Sequence, residues 1–173
     1  MNTGIGIEAI GVDVGTLFLD VGELCIARGL DVGNFVGRLH CRERTVLAPF
    51  DDVVTLAVNA ATAAVWPGLR RKIRWLIVAT ESSVDQEKPV STWVHRFLDL
   101  PPDCRNFELK HACYGATAAL QVARRLVAAE DDPEVRALGV SADHALLGIE
   151  GPQEPVLGAG AVAVLVGRNA RLA

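Results

Sequence analysis

Two side chains in this sequence stand where a fold could turn them into reagents. Cys113, in the run FELKHACYGATAALQ, falls where an extended apolar segment gives way to a helical one. Backbone N–H groups at a helix N-terminus, with the positive end of the helix dipole, stabilise a thiolate and lower its pKa. The same N–H groups can hold an oxyanion, so nucleophile and oxyanion donor come from one turn. Small neighbours (Ala112, Gly115, Ala116) leave room for an acyl chain or pantetheine arm against the backbone. Position alone accommodates a buried structural cysteine equally well. Glu81 follows directly on the apolar run IRWLIVAT, in ATESSVD. Ligands gather at the carboxyl ends of parallel strands. A partly desolvated carboxylate there has a raised pKa suited to general acid/base work. The alternative is a cap for the following loop or helix, a role open to Asp85 as well.

The remaining chemistry-bearing residues are less well placed. Of the four histidines (His40, His95, His111, His144), His95 falls in a helix and reads as a surface or interface residue. His111 precedes Cys113 by two, and strand alternation would turn both to one face. A strand-to-helix turn between them breaks that pairing. The basic run Arg70, Arg71, Lys72, Arg74 reads either as a contact for phosphates or an acidic carrier protein, or as a solvated helix–strand corner. Cys25, Cys41 and Cys104 lie far apart, with no CxxC pair and no nearby His group. That spacing argues against a disulfide framework and against a zinc or other metal site.

The elements that must position Cys113 and Glu81 follow from pattern. Ile5 to Val12 reads as a first strand. Asp20 and Glu23 have capping-box spacing and open a helix that stops at Gly29. Leu30 to Pro49 keeps no period and reads as loop with one short helix. Asp51 caps a helix over Asp52 to Val65, ended by Pro67-Gly68. Ile73 to Thr80 is apolar at nearly every position, as a buried parallel strand is. Pro89 starts a helix to Leu98. Cys104 to Lys110 is a strand followed without a loop by a helix from Cys113 to Ala129. Val135 to Ala142 and Ala159 to Val166 complete the strands. The order predicts an α/β domain with long crossovers and a mainly parallel sheet. The helix after Cys113 is small or apolar all round in its first three turns, which predicts burial on every side under a cover that one sheet cannot supply.

Composition narrows the classes further. The chain has 173 residues, half of them AVILMFWYC and 22% charged, which fits one domain and excludes disorder. A formal charge of −4, from 17 basic and 21 acidic residues, argues against a nucleic-acid or membrane-surface protein. The longest apolar run, Val156 to Val166, is too short to span a bilayer. No secretory signal pattern is visible, so the expected location is cytoplasmic.

The segments ATESSVD, STWVHRFLDLPP, FELKHACYGATAALQ and EPVLGAGAVAVLV, in this order and spacing, resemble the amino-terminal half of hydroxymethylglutaryl-CoA synthases. The likeness is strongest to the relatives that install β-branches in bacterial polyketide pathways. IGIEAIGVDV and DDVVTLAVNAA fit too, so the resemblance runs over almost the whole chain. It implies one half of a thiolase fold, βαβαβαββ with a mainly parallel mixed sheet, over residues 1–173. It implies that Cys113 receives an acetyl group from a CoA or phosphopantetheine thioester, and that Glu81 takes a proton from the acetyl methyl. The carbanion then adds to a β-keto thioester carried by acyl carrier protein or CoA; those thioesters are substrates, and no cofactor is implied. The carboxyl-terminal half, with the histidine that assists at the acceptor ketone, is implied to be a separately encoded partner in a heteromer.

Departures fall at the pocket. The family's ARYG reads Ala145-Leu146-Leu147-Gly148, and its EPTQGAGA begins Glu154-Pro155-Val156-Leu157. A Tyr and a Thr of the family's thioester pocket are therefore Leu147 and Val156, beside Gly148. The glycine-rich early loop reads Asn34-Phe35-Val36-Gly37-Arg38. Three functions fit: a subunit of a split condensing enzyme, a homo-oligomer that transfers or hydrolyses acyl groups, or a non-catalytic partner of another condensing enzyme.

Overall fold

A computed structural model describes residues 4–145 and 150–172. In chain order the elements are β1 (Gly6–Asp13), β2 (Leu17–Asp20), α1 (Val21–Arg28), β3 (Glu43–Val46), α2 (Val53–Ala64), α3 (Pro67–Arg70), β4 (Ile73–Ala79), α4 (Val90–Phe97), β5 (Arg105–Leu109), α5 (Gly115–Ala129), β6 (Arg136–His144) and β7 (Ala159–Gly167). The main sheet has the order β1-β7-β6-β4-β5. β5, β4 and β6 are parallel neighbours, and β7 runs antiparallel to both β6 and β1. All strands but β7 therefore point the same way, the mainly parallel mixed sheet expected of this half-fold.

Helices cover both faces. On one, α2 and α4 bury Leu56, Ala60, Val90 and Val94 against Leu76, Val78, Leu138, Val140 and Leu165. On the other, α5 lays Ala119, Ala123 and Val127 on Ile77, Ala79, Ala137 and Val166. Small residues at i, i+4 spacing let α5 approach the sheet closely. At its first turn a Cβ on Gly115 would stand 3.2 Å from the Ala79 Cβ.

Local signals mostly acted as read. The Asp20 side chain accepts from the Glu23 N–H at 2.8 Å, and Gly29 closes α1 at φ +66°. Two expectations are corrected. The cap of α2 is Asp52, which accepts from the Thr55 N–H at 2.8 Å, while the Asp51 N–H closes the preceding turn on the Ala48 carbonyl. The stretch 30–49 carries a π-helical turn (Gly33–Arg38) and β3, which pairs with β2 as a separate two-stranded sheet. With Leu17 and Phe18 exposed and no residue of either strand fully buried, that pair imposes no alternation on the sequence. As expected of a helix that one sheet cannot enclose, α5 is covered by this chain along one stripe only: Ala116, Thr117, Leu120 and Gln121 are exposed.

That exposure continues across the sheet. Val162 and Val164 flank α5, and Ile10 and Val12 lie opposite Val164 and Val162 in the β1–β7 ladder. Ile10, Val12 and Val162 are 51%, 56% and 41% exposed. One apolar face of the sheet beside α5 thus lies open. Two ion pairs brace the periphery. Arg136 meets Glu8 at 3.1 Å with both side chains buried, and Glu8 also accepts from the Asn169 N–H at 2.9 Å. Arg28 meets Glu154 at 2.9 Å and holds that carboxyl below the usual carboxylate range.

α2 reaches the sheet only because β1 carries glycine at its crossing point: a Cβ on Gly11 would overlap the Ala60 carbonyl oxygen. Backbone cannot yield as a side chain can, so Gly11→Ala should destabilise by about 1–3 kcal/mol or more, the range of overpacked cores. Urea denaturation checks this, and Gly37→Ala, where a Cβ meets nothing within 4 Å, is the control.

Candidate active site

The carboxyl ends of β4 and β6 are joined by one carboxylate. Asp143 Oδ1 accepts from the Glu81 N–H at 2.7 Å and lies 2.9 Å from the Ser82 hydroxyl and 3.2 Å from the Thr80 hydroxyl. The Ser82 hydroxyl in turn accepts from the His144 N–H at 3.1 Å. Glu108, on the edge strand β5, holds the next residues. It accepts from the Ser83 hydroxyl and, at 2.7 Å, from the Val90 N–H at the start of α4. The chain leaving β4 is therefore pinned on both sides, and Glu81 sits at the pinned point.

Cys113 approaches from the other side. After β5 the chain turns through Ala112 at φ +42°, in the left-handed region where an L side chain costs about 1–3 kcal/mol. A 3₁₀ turn over Ala112–Tyr114 then leads into α5. The Ala112 N–H donates to Glu81 Oε1 at 2.6 Å, so the glutamate is bonded to the backbone one residue before the thiol. Cys113 is exposed to a cleft of about 850 Å³ that Glu81, Ser82, Ser141 and Asp143 also line. Across it stand Leu47, Asp51, Asp52 and Val53, at the entry to α2. Among the described lining residues there are four carboxylates and no lysine or arginine.

The structure thus brings Cys113 and Glu81 into one cleft. Leu147 and Gly148 lie outside the described residues. Val156, on the turn Glu154–Val156, is 43% exposed and stands outside the described lining of the cleft. His111 packs edge-on to the Tyr114 ring rather than against the thiol, with centroids 5.2 Å apart. His95 bonds through Nε2 to the Pro101 carbonyl at 3.1 Å. The basic run lies at the amino end of β4, the opposite end from the cleft, where Arg74 pairs with Asp103 at 3.2 Å. Burial pushes the Cys104 thiol up to about 12, and burial with Asp31 raises that of Cys25. Among the described residues no cluster of His, Cys, Asp and Glu could hold a metal ion, and no helix is long and apolar enough to cross a membrane.

Asp143, Ser82 and Glu108 went unnoticed in the sequence because their partners are remote. Asp143 meets Ser82 across 61 positions, and Ser83 meets Glu108 across 25. The one available signal was an acidic residue near the carboxyl end of a strand.

A mainly parallel half-sheet, with a thiol at the start of the helix on one face and a glutamate at the neighbouring strand tip, defines a thiolase-type α/β half. The chain belongs to the hydroxymethylglutaryl-coenzyme A synthase family, whose N-terminal part it matches over residues 1–171. It is 40% identical over 168 residues to the hydroxymethylglutaryl-CoA synthase of Enterococcus faecalis, covering 97% of this chain and 43% of that protein. It is 41% identical over 177 residues to the polyketide biosynthesis 3-hydroxy-3-methylglutaryl-ACP synthase PksG of Bacillus subtilis, covering 95% and 42%. Among solved structures it superposes on an HMG-CoA synthase complexed with CoA at a TM-score of 0.91, with 40% identity and coverage of 97% and 43%. The curacin-pathway HMG synthase in complex with holo donor-ACP gives 0.85, with 38% identity and coverage of 95% and 41%. The chain spans about two-fifths of the length of these relatives.

Asp143 carries the local geometry, so its loss should be felt twice. Asp143→Ala removes the charged acceptor shared by the Glu81 N–H and the part-buried Thr80 and Ser82 hydroxyls and should cost about 1.5–3 kcal/mol, the range of a hydrogen bond to a charged group. It should also release Glu81 from Ala112. Thermal denaturation, with amide hydrogen exchange at Glu81 and Ala112, checks both; unchanged protection at Ala112 would show that the two tethers are independent.

Proposed function

We propose that this chain is the nucleophile-bearing subunit of a hydroxymethylglutaryl-CoA synthase-like condensing enzyme. The observation that carries the reading is the shared cleft of Cys113 and Glu81, with the carboxylate bonded to the amide of Ala112. The Cys113 thiolate attacks the carbonyl of an acetyl thioester, its own backbone N–H serves as oxyanion donor, and the CoA or phosphopantetheine thiol leaves with a proton. Glu81 then removes a proton from the acetyl methyl. The carbanion adds to the ketone carbon of a β-keto thioester on acyl carrier protein or CoA. The setting is polyketide or other secondary metabolism, in line with the polyketide biosynthesis synthase PksG and the curacin-pathway HMG synthase among its relatives.

The remaining half comes, on this reading, as a separately encoded carboxyl-terminal subunit. The observation that supports a completing half is the sheet face bearing Ile10, Val12 and Val162, which lies open. Exposed apolar patches beyond a few hundred Å² mark interaction surfaces. Size-exclusion with light scattering should show self-association of the 173 residues alone and a defined heteromer with a carboxyl-half partner. A stable, well-behaved monomer would remove the need for that cover.

Two further measurements separate the chemical roles in the assembled protein. On exposure to acetyl-CoA, intact mass should rise by one acetyl group in wild type and in Cys25→Ala, Cys41→Ala and Cys104→Ala, but not in Cys113→Ala. Acylation that survives Cys113→Ala would favour the non-catalytic partner reading. Deuterium washout from the trideuteroacetyl enzyme should fall by a factor of ~10² to 10⁴ in Glu81→Gln, the usual cost of a lost general base. Acylation itself should fall far less. Equal washout would place the base elsewhere; no washout in wild type despite acylation would point to simple acyl transfer.

A further inference from the structure

The open sheet face beside α5 is not flat. A crevice of about 60 Å³ lies between α5 and β7, walled by Ala116 and Leu120 on the helix and by Val162 and Val164 on the strand. Gly139 and Ser141 of β6 form its floor. Ala116 and Ser141 also line the cleft that Cys113 faces, so the two spaces meet there. The turn bearing Cys113 stands at that junction. Ala116 follows Cys113 by three, the spacing that sets side chains on one helix face. A Cβ on Gly115 would come within 3.2 Å of the Ala79 Cβ, and Ala79 is the ladder partner of Ser141.

The floor is bare where packing does not ask for it. Unlike Gly11, Gly139 has no backbone pressed against it: a Cβ there would meet the Val164 carbonyl oxygen at 4.0 Å and nothing nearer. Glycine inside a strand gives up backbone entropy and side-chain contacts, and it often marks the close approach of a ligand or another backbone. Apart from Ser141, the described side chains around the space are hydrocarbon. A water molecule takes about 30 Å³ of the liquid, so the crevice has room for about two groups of methylene size.

Resting on the condensing reading, we propose that this crevice is an acyl-chain subsite, and that Cys113 accepts straight-chain donors up to butyryl as well as acetyl. The thiolate attacks the thioester carbonyl and the bond to Sγ forms. The bond to the CoA or phosphopantetheine sulfur breaks, and that thiol leaves with a proton. The carbonyl stays at the backbone oxyanion donor and the second carbon at Glu81. The third and fourth carbons pass between Ala116 and Ser141 onto Gly139. Burial of each such methylene favours the longer chain by about fourfold.

The test measures kcat/KM for Cys113 acylation by intact mass in the assembled protein, with acetyl-CoA, butyryl-CoA and hexanoyl-CoA. Butyryl should exceed acetyl by about 16-fold, at about fourfold for each added methylene. Gly139→Ala sets a methyl on the floor without a clash and should lower the butyryl-to-acetyl ratio about fourfold. Leu120→Ala opens the wall and should raise the hexanoyl-to-acetyl ratio by a similar factor. Butyryl no faster than acetyl in wild type overturns the proposal, and means that side chains of the carboxyl-terminal half fill the crevice. A butyryl preference that neither variant moves also overturns it, since the chain then lies elsewhere. Wild-type protein whose Cys113 takes no acyl group from any of the three defeats the condensing reading itself, which distinguishes the two failures.

Discussion

The carboxylate of Asp143 is the constraint on which the candidate site depends. Two parallel strands end side by side, and beyond their last ladder bonds the backbone N–H groups need acceptors. One oxygen of Asp143 meets the Glu81 N–H and the hydroxyls of Thr80 and Ser82. Satisfying those donors fixes the path of the chain out of β4, and that path aims the Glu81 side chain at Ala112. The link from β6 to β4, and from β4 to the turn before Cys113, is thus a chain of hydrogen bonds rather than a packed core. Networks of this kind specify a geometry only when every member is satisfied.

Packing sets the other half of the geometry. Cys113 stands where it does because α5 can lie against the sheet, and α5 can do so because its contact stripe is Gly115, Ala119, Ala123 and Val127. The left-handed Ala112 turns the chain sharply enough for the helix to start without a loop. Strain of that kind persists only where its surroundings over-determine it, and here Glu81 accepts the N–H of the strained residue. Thiol and carboxylate are therefore located relative to each other through backbone, not through two freely rotating side chains.

Much of this was legible in the sequence where the cause is local. The Asp20–Glu23 spacing and Gly29 delimit α1, the unbroken run IRWLIVAT marks β4, and Pro89 marks the start of α4, because each signal acts within a few residues. Cys113 and Glu81 were recognisable as reagents for the same reason: each sits at a strand end. The β2–β3 pair was not, since Leu17 and Phe18 are exposed and leave no periodicity. The shift from Asp51 to Asp52 as the cap of α2 turns on a single bond to the Ala48 carbonyl. Asp143 escaped notice because its partners lie about sixty positions away. The apolar first turns of α5 signalled a need for cover that one sheet cannot meet, and this chain covers only the stripe of Gly115, Ala119, Ala123 and Val127.

The sheet order has a consequence for the time course of folding. β1 is stitched along its whole length to β7, the last strand in sequence, and the Glu8–Arg136 pair and the bond to Asn169 reinforce that seam. Contacts so distant along the chain carry a large loop-closure cost before they return anything, and they slow folding. The parallel block β4-β5-β6 can be nucleated locally, through the crossover units that α4 and α5 complete. β1 must wait, its apolar edge unpaired, until synthesis has passed Gly167. A ribosome-bound intermediate therefore holds a nearly finished three-stranded block beside a sticky, unsheathed first strand. The interval between the emergence of Asp13 and that of Gly167 is the window in which this polypeptide is most in need of a chaperone.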